Sequence, residues 1–247
     1  MESGISIAIP AFDKNGEGAE FIKFSLNQLE KQTFENFEVI ISDDSNNDNI
    51  KKMLDNYNSN LDIKYFKSEY IPLDGRPYNK GLSPNANRVL NKCKKEIIQI
   101  LFQDDFVRNK NTLQTIYDFY KENDYEWAAS CFYETRDVKT ASRIVTPVYT
   151  ERIYLGENTM SGPSIISLRN RDEKIFFDEK LVMLMDCEFY KQMADKFGYP
   201  GIINFHGIVI RQHSGQISNN EGADPNLISR EIQYCKSKFK KNIWLHK

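Results

Sequence analysis

The feature that most constrains this chain is a series of short apolar runs separated by stretches of helical period. Ile5 to Pro10 reads as a buried strand, and Ile22, Leu26 and Leu29 then follow at helical spacing. Phe37 to Ser42 is a second buried strand, and Ile50, Met53, Leu54 and Tyr57 mark a second helix. Leu61 to Phe66 is a third strand. Pro84 to Lys95 reads as a helix opened by its proline, and Ile97 to Phe102 is a fourth strand. Leu113, Ile116, Tyr117 and Tyr120 give the next helix. Such alternation predicts an α/β fold with a mainly parallel sheet flanked by helices.

After residue 125 the alternation weakens. Trp127 to Tyr133 and Ser164 to Leu168 read as strands, and Asp186 to Phe197 as a helix stopped by Gly198. Ile202 to Gln212 holds one or two strands. Residues 134–160 are polar and irregular, long enough to suggest a functional loop. Residues 221–247 are polar, then basic. The 247 residues suit one unit of two fused halves, 1–105 and 106–220, followed by a basic helical extension over 221–247.

A net charge of -2 gives no global case for nucleic-acid binding. Cys93, Cys131, Cys187 and Cys235 fall at no metal-knuckle or redox spacing. The sequence shows no signal-peptide pattern and no membrane-spanning run, so a cytoplasmic protein is expected. The segment from Lys236 to Trp244 admits two readings: a patch resting on an anionic membrane surface, or a solvated helix end packed on the domain.

In an open parallel sheet, ligands bind at the carboxyl ends of the strands. Three such ends carry acids: Pro10-Ala11-Phe12-Asp13, Ser42-Asp43-Asp44-Ser45 and Gln103-Asp104-Asp105. Any single Asp there can be a cap or turn former. Together they suggest a hard-cation site for Mg2+ or Mn2+, whose remaining ligands are commonly substrate phosphates and water.

The motifs resemble, in order, those of the inverting family-two glycosyltransferases of the GT-A fold. IAIPAFD is similar to the first-strand motif, and QLEKQTFENFEVIISDDSNND to the second-strand segment. LFQDDF stands at the Asp-x-Asp signature, while SGPSIISLRN, FFDEKLVMLMDCEFYKQM and RQHSGQIS resemble acceptor-side segments. The resemblance implies a nucleotide-sugar donor, expected to be UDP-linked, and a glycan or glycolipid acceptor in surface polysaccharide synthesis. It implies that Pro10, Ala11 and Asp13 line the nucleotide pocket and that Asp44 accepts a hydrogen bond from the base. Asn87 and Arg88 would meet nucleotide or diphosphate. Asp104 would face ribose or sugar, Asp105 would bind the metal, and His213 would add a metal or diphosphate contact; a surface histidine is its plainer reading.

Two positions depart from the family pattern. Gln103 replaces the first acid of the signature, which reduces the negative charge at the donor site. Ala86 stands where many relatives carry Arg, leaving Arg76, Lys80 or Arg88 to supply a cation.

Inversion by direct displacement needs a carboxylate to take the acceptor proton, on the side of the sugar away from the metal. The resemblance makes Asp186 in MDCEFY the expected base, although its spacing alone also suits a helix cap. Glu188 is expected to bind acceptor or orient a neighbour. Gly162-Pro163-Ser164 would form a close-approach turn, and Trp127 or Tyr133 could stack on a sugar, although strand aromatics are more often core. Two other readings compete: a sugar-nucleotide nucleotidyltransferase, whose Gly-rich loop is here reduced to Gly16 and Gly18 in PAFDKNGEG, and a non-catalytic nucleotide- or glycan-binding module.

Overall fold

A computed structural model of the chain describes residues 1–14, 16–68, 81–216 and 224–240. Arg76, Lys80 and Trp244 lie outside the described residues. The first half is built from β1 (Glu2–Ala11), α1 (Glu17–Leu29), β2 (Phe37–Asp43), α2 (Asn49–Asp55), β3 (Ile63–Lys67), α3 (Leu82–Lys92) and β4 (Lys95–Ile100). These strands lie side by side in the order β3-β2-β1-β4, all parallel. Ile5, Ile7, Ala8 and Ile9 are fully buried, as are Val39, Ile40, Ile41, Ile97 and Ile98. Runs without alternation are what a sheet covered on both faces requires. Each such side chain contributes about 1.5–3 kcal/mol by leaving water.

The second half adds β5 (Phe106–Val107), α4 (Thr112–Glu122), β6 (Trp127–Thr135), β7 (Arg143–Val145), β8 (Ile166–Arg169), α5 (Met185–Phe197), β9 (Gly201–Arg211) and α6 (Pro225–Lys240). The sheet continues from β4 through β8, β6 and β9 to β5, and β7 pairs with β6. β8 runs antiparallel to both β4 and β6, so it joins the two halves into one sheet. β6 and β9 are parallel.

Several local expectations change. α3 starts at Leu82 and ends at Lys92, because Cys93 is extended; Pro84 therefore lies within the first turn instead of opening the helix. Residues 163–165 form a 3-10 turn, and the strand begins at Ile166. Part of the expected irregular loop pairs as β7. Trp127 is fully buried and its Nε1 donates to the Gly198 carbonyl at 2.8 Å, so it is core and not a sugar platform. All four cysteines are buried and free. Among the described residues no helix is long and apolar enough to cross a membrane.

The basic C-terminal segment is packed onto the domain over residues 225–240. Glu231, Cys235 and Phe239 are buried at successive four-residue steps along one face of α6. Lys238 pairs inward with Asp178 and Glu188, each at 2.7 Å. Of the two readings of this segment, the packed one describes residues 225–240.

Candidate active site

The loop after β1 is organised by a buried acid. Asp13 is 1% exposed and accepts from the backbone amides of Gly16 (2.9 Å) and Ala19 (3.2 Å) and from the side-chain amides of Asn47 (3.1 Å) and Asn49 (2.8 Å). Burial opposes its charge, and the Asn49, Gly16, Ala19 and Asn47 donors together hold its pKa below the usual carboxylate value. Gly18 makes this close approach possible: a Cβ there would sit 2.7 Å from the Phe12 carbonyl. Asp13 therefore shapes the loop and does not face an open pocket. Pro10 and Ala11 are buried in β1, and the Ala11 carbonyl accepts from Asp44 N and Asn85 Nδ2, both at 2.9 Å. Phe12 is an exposed aromatic ring on this loop, at 47%.

At the end of β2 two neighbouring acids face different partners. Asp43 is fully buried and accepts from Tyr65 Oη (2.7 Å) and Lys67 Nζ (3.0 Å). Asp44 is 5% exposed and is held by the Arg88 guanidinium and the Ser68 hydroxyl. Gly81 lets the chain pass this carboxylate, since a Cβ there would lie 2.9 Å from Asp44 Oδ2. Arg88 thus stands beside Asp44, as the sequence suggested. Asn87 does not reach the site. Its amide donates to the Phe177 carbonyl (3.0 Å) and Glu179 (3.1 Å), and its oxygen accepts from Phe177 N (2.9 Å), which ties α3 to the segment ahead of α5.

The signature after β4 separates into three different roles. Gln103 Oε1 accepts from Phe12 N (2.7 Å) while its Nε2 donates to the Phe12 carbonyl (2.8 Å). This two-pronged clamp needs an amide, so Gln103, expected among the nucleotide contacts, holds the loop after β1. Gln103→Glu sets a carboxylate oxygen against the Phe12 carbonyl and leaves a lost hydrogen bond. It is expected to lower stability by about 0.5–1.5 kcal/mol, read by urea unfolding.

Asp104 is 20% exposed and meets His213 Nε2 at 3.0 Å. Asp105 is turned inward: it is 6% exposed and its Oδ1 accepts from Arg211 N at 2.9 Å. Burial, then the neighbouring Asp104 charge, raises its pKa well above the usual value. The expectation placed the metal contact on Asp105, yet the carboxylate that reaches the histidine and solvent is Asp104. Ser164, in the expected Gly-Pro-Ser turn, accepts from Phe102 N at 2.8 Å and so ties that turn to the end of β4.

Arg211 had no assigned role. Its guanidinium lies over the rings of Phe21 (4.6 Å), Phe24 (5.0 Å) and Phe106 (5.5 Å). Its Nε and Nη2 are buried without a hydrogen-bond partner among the described residues. Burial lowers its pKa, and the charges of Asp104 and Asp105 oppose that shift. The aromatic cage keeps a cation at the acidic edge of the sheet. The only sequence cue was its place in the Arg-x-His run.

On the acceptor side, Asp186 lies in the first turn of α5, one residue inside the helix, and Leu184 holds the cap position without a side-chain cap. Asp186 is therefore not the N-cap. Its Oδ1 accepts from Cys187 N (2.7 Å) and its Oδ2 from Asn158 Nδ2 (2.8 Å). Burial outweighs these donors and pushes the carboxyl up to about 6. Asn158 belongs to the stretch read as irregular. Its own oxygen accepts from Met160 N (3.0 Å) and Ser161 N (2.9 Å), and Ser161 has a left-handed φ of 92°. Glu188 is fully buried, bonded by Gln192 Nε2 (2.8 Å) and paired with Lys238. It braces α5, as the expectation that it orients a neighbour allows.

The arrangement is that of the GT-A fold. The chain belongs to glycosyl transferase family 2, whose model matches residues 6–189. S. aureus TarS residues 1–349, solved with UDP-GlcNAc, superposes with a TM-score of 0.70 at 19% identity, covering 95% of this chain and 66% of that one. The mannosyltransferase PcManGT of Pyrobaculum calidifontis, solved with GDP-Man and Mn2+, superposes with a TM-score of 0.54 at 13% identity, covering 86% and 57%. A GalNAc(5)-diNAcBac-PP-undecaprenol beta-1,3-glucosyltransferase of Campylobacter jejuni is 26% identical over 102 residues, which are 41% of this chain and 29% of that protein. The chain thus spans less than two thirds of the length of these relatives. Among the described residues no three His, Cys, Asp or Glu side chains gather as a metal-binding group.

Proposed function

We propose that this chain is an inverting glycosyltransferase that moves a sugar from a UDP-linked donor to a hydroxyl of a glycan or lipid-linked glycan, in surface polysaccharide synthesis. The observation that carries the reading is the separation of two carboxylates. Asp104 lies beside His213 at the carboxyl edge of the parallel sheet, and Asp186 lies in the first turn of α5 with its carboxyl raised to about 6.

Phe12 offers an exposed ring to a nucleobase, and Gln103 fixes the backbone that carries it. Asp44 accepts from the base, while Arg88 supplies the cation that Ala86 cannot. Asp104 and His213 are the residues that would hold Mn2+ or Mg2+; their partly exposed oxygen and nitrogen donors suit an ion that takes its other ligands from a diphosphate and water. When bound, such an ion stabilises the charge of the departing diphosphate. Asp186 takes the proton of the acceptor hydroxyl as that oxygen attacks the anomeric carbon, and Asn158 and the Cys187 amide aim its carboxylate. The relative acting on an undecaprenol-linked glycan supports a lipid-linked acceptor, met at the cytoplasmic face of a membrane.

A thermal-shift series with UDP, GDP and no nucleotide, each with and without Mn2+, tests the donor side. A nucleotide at a hundred times its Kd stabilises by about 2.7 kcal/mol, which for a chain of this size raises Tm by roughly 5–10 °C. UDP with Mn2+ should give that rise. A shift with GDP alone, or one indifferent to Mn2+, would overturn the donor or the metal assignment respectively.

The pH profile tests the base. A base acts in its ionised form, so kcat/KM should fall about tenfold per pH unit below pH about 6 and level off above it. A rate that does not change between about pH 5 and pH 7 would remove Asp186 from the role.

A further inference from the structure

The backbone that enters helix α5 is held by a residue from far along the chain. Glu231 on α6 is 4% exposed, and its Oε1 accepts from Val182 N at 2.8 Å. Its Oε2 accepts from Met183 N and Leu184 N, both at 2.9 Å. These three consecutive amides lead directly into Met185, the first residue of α5. Of the three, only the Leu184 amide belongs to the helix end, at the cap position; those of Val182 and Met183 precede it, so Glu231 fixes the chain that leads into the helix. A negative carboxylate also suits the positive end of the helix dipole.

The same helix holds the other side of Asp186. Tyr234 Oη donates to Asp178 at 2.7 Å, and Lys238 joins Asp178 to Glu188. Ile232 Cδ1 would lie 3.7 Å from a Cβ on Gly156, and Phe239 meets the Tyr154 ring at 5.3 Å. Those contacts support the segment that delivers Asn158. α6 thus grips both the backbone that carries Asp186 and the loop that hydrogen-bonds it.

We propose that Glu231 is a positioning residue for sugar transfer: its carboxylate fixes residues 182–184 and thereby the place of the Asp186 carboxylate. The proposal rests on Asp186 being the base, and the test separates the two. Turnover of UDP-GlcNAc, read as UDP release, and the affinity for UDP with Mn2+ are measured for wild type, Glu231→Gln and Glu231→Asp. The amide keeps the shape but loses one accepting oxygen, and the Asp variant keeps the charge but falls one methylene short. Both should lower turnover at least tenfold while the UDP affinity stays within about twofold, because none of the proposed donor residues, Phe12, Asp44, Arg88, Asp104 and His213, lies on α6 or in residues 182–184. If Glu231→Gln does not fold, Glu231→Asp carries the comparison.

A carbon-13 titration of aspartate carboxyls, with the Asp186 signal identified by its loss in Asp186→Asn, reads the positioning directly. The Asp186 midpoint should move in the Glu231 variants, with Cys187 and Tyr190 the other titratable groups facing it. Unchanged turnover together with an unmoved Asp186 midpoint overturns the proposal. So does a fall in UDP affinity in step with turnover, which would make Glu231 a general support of the fold. Near-normal turnover in Asp186→Asn would sink the base reading alone, and the titration would still decide whether Glu231 positions that carboxylate.

Discussion

Asp186→Asn should lower turnover by roughly 100- to 10,000-fold with little change in UDP affinity. The substitution keeps the side-chain shape and removes only the capacity to take a proton. The same variant should not melt below the wild type by more than the loss of one hydrogen bond allows, about 1 kcal/mol. The reason lies in the sign of the linkage. The folded pKa of Asp186 is raised to about 6, above the ordinary carboxylate value, so its protonation favours folding at low pH. That contribution is lost as pH rises through about 6, and the ionised form needed for catalysis is the one the fold tolerates less. Turnover within a few fold of wild type would exclude the base assignment.

The second large effect concerns the donor side. Asp104→Ala should abolish the Mn2+-dependent part of the stabilisation by UDP, which with Mn2+ totals about 2.7 kcal/mol at a hundred times Kd. His213→Ala should weaken it in the same direction. Asp105→Asn should leave the Mn2+-dependent shift in place, because that side chain faces the Arg211 amide inside the protein. The opposite pattern, a shift lost with Asp105→Asn and kept with Asp104→Ala, would return the metal role to Asp105. Isothermal calorimetry of UDP with and without Mn2+ measures the same difference independently.

The sheet of the first half was legible because its strands are buried on both faces. Ile5 to Ile9, Val39 to Ile41 and Ile97 to Ile100 show an apolar character that no surface strand would have. The acids at the strand ends were legible by position, but their directions were not. Asp104 and Asp105 are adjacent, and once a strand has ended its period no longer tells which side chain turns inward.

The interior partners of several polar residues were not legible. Asn87, Gln103, Asp13 and Glu188 are each matched to specific partners far away in the chain, and no spacing rule marks such a partner. The basic helical extension was legible as a helix, but its packed face was not: the buried steps Glu231, Cys235 and Phe239 include an acid that a hydrophobic pattern cannot count, and Lys238 turns inward to Asp178 and Glu188. Arg211 and Asn158 were missed for a related reason. One depends on three rings from two distant segments, the other on a loop whose shape follows from its own hydrogen bonds.

β8 has a consequence for the order in which the chain can be completed during synthesis. β4 leaves the ribosome long before Ile166, yet its only neighbour on that side is β8, antiparallel to it through Ile97, Ile98 and Gln99. Until then a nascent first half carries an apolar edge with unpaired backbone groups, open to any other extended chain. A protein stopped between residues 106 and 165 would therefore not be a smaller nucleotide-binding module. It would be an adhesive intermediate, and the two halves that share the chemistry depend on being made together.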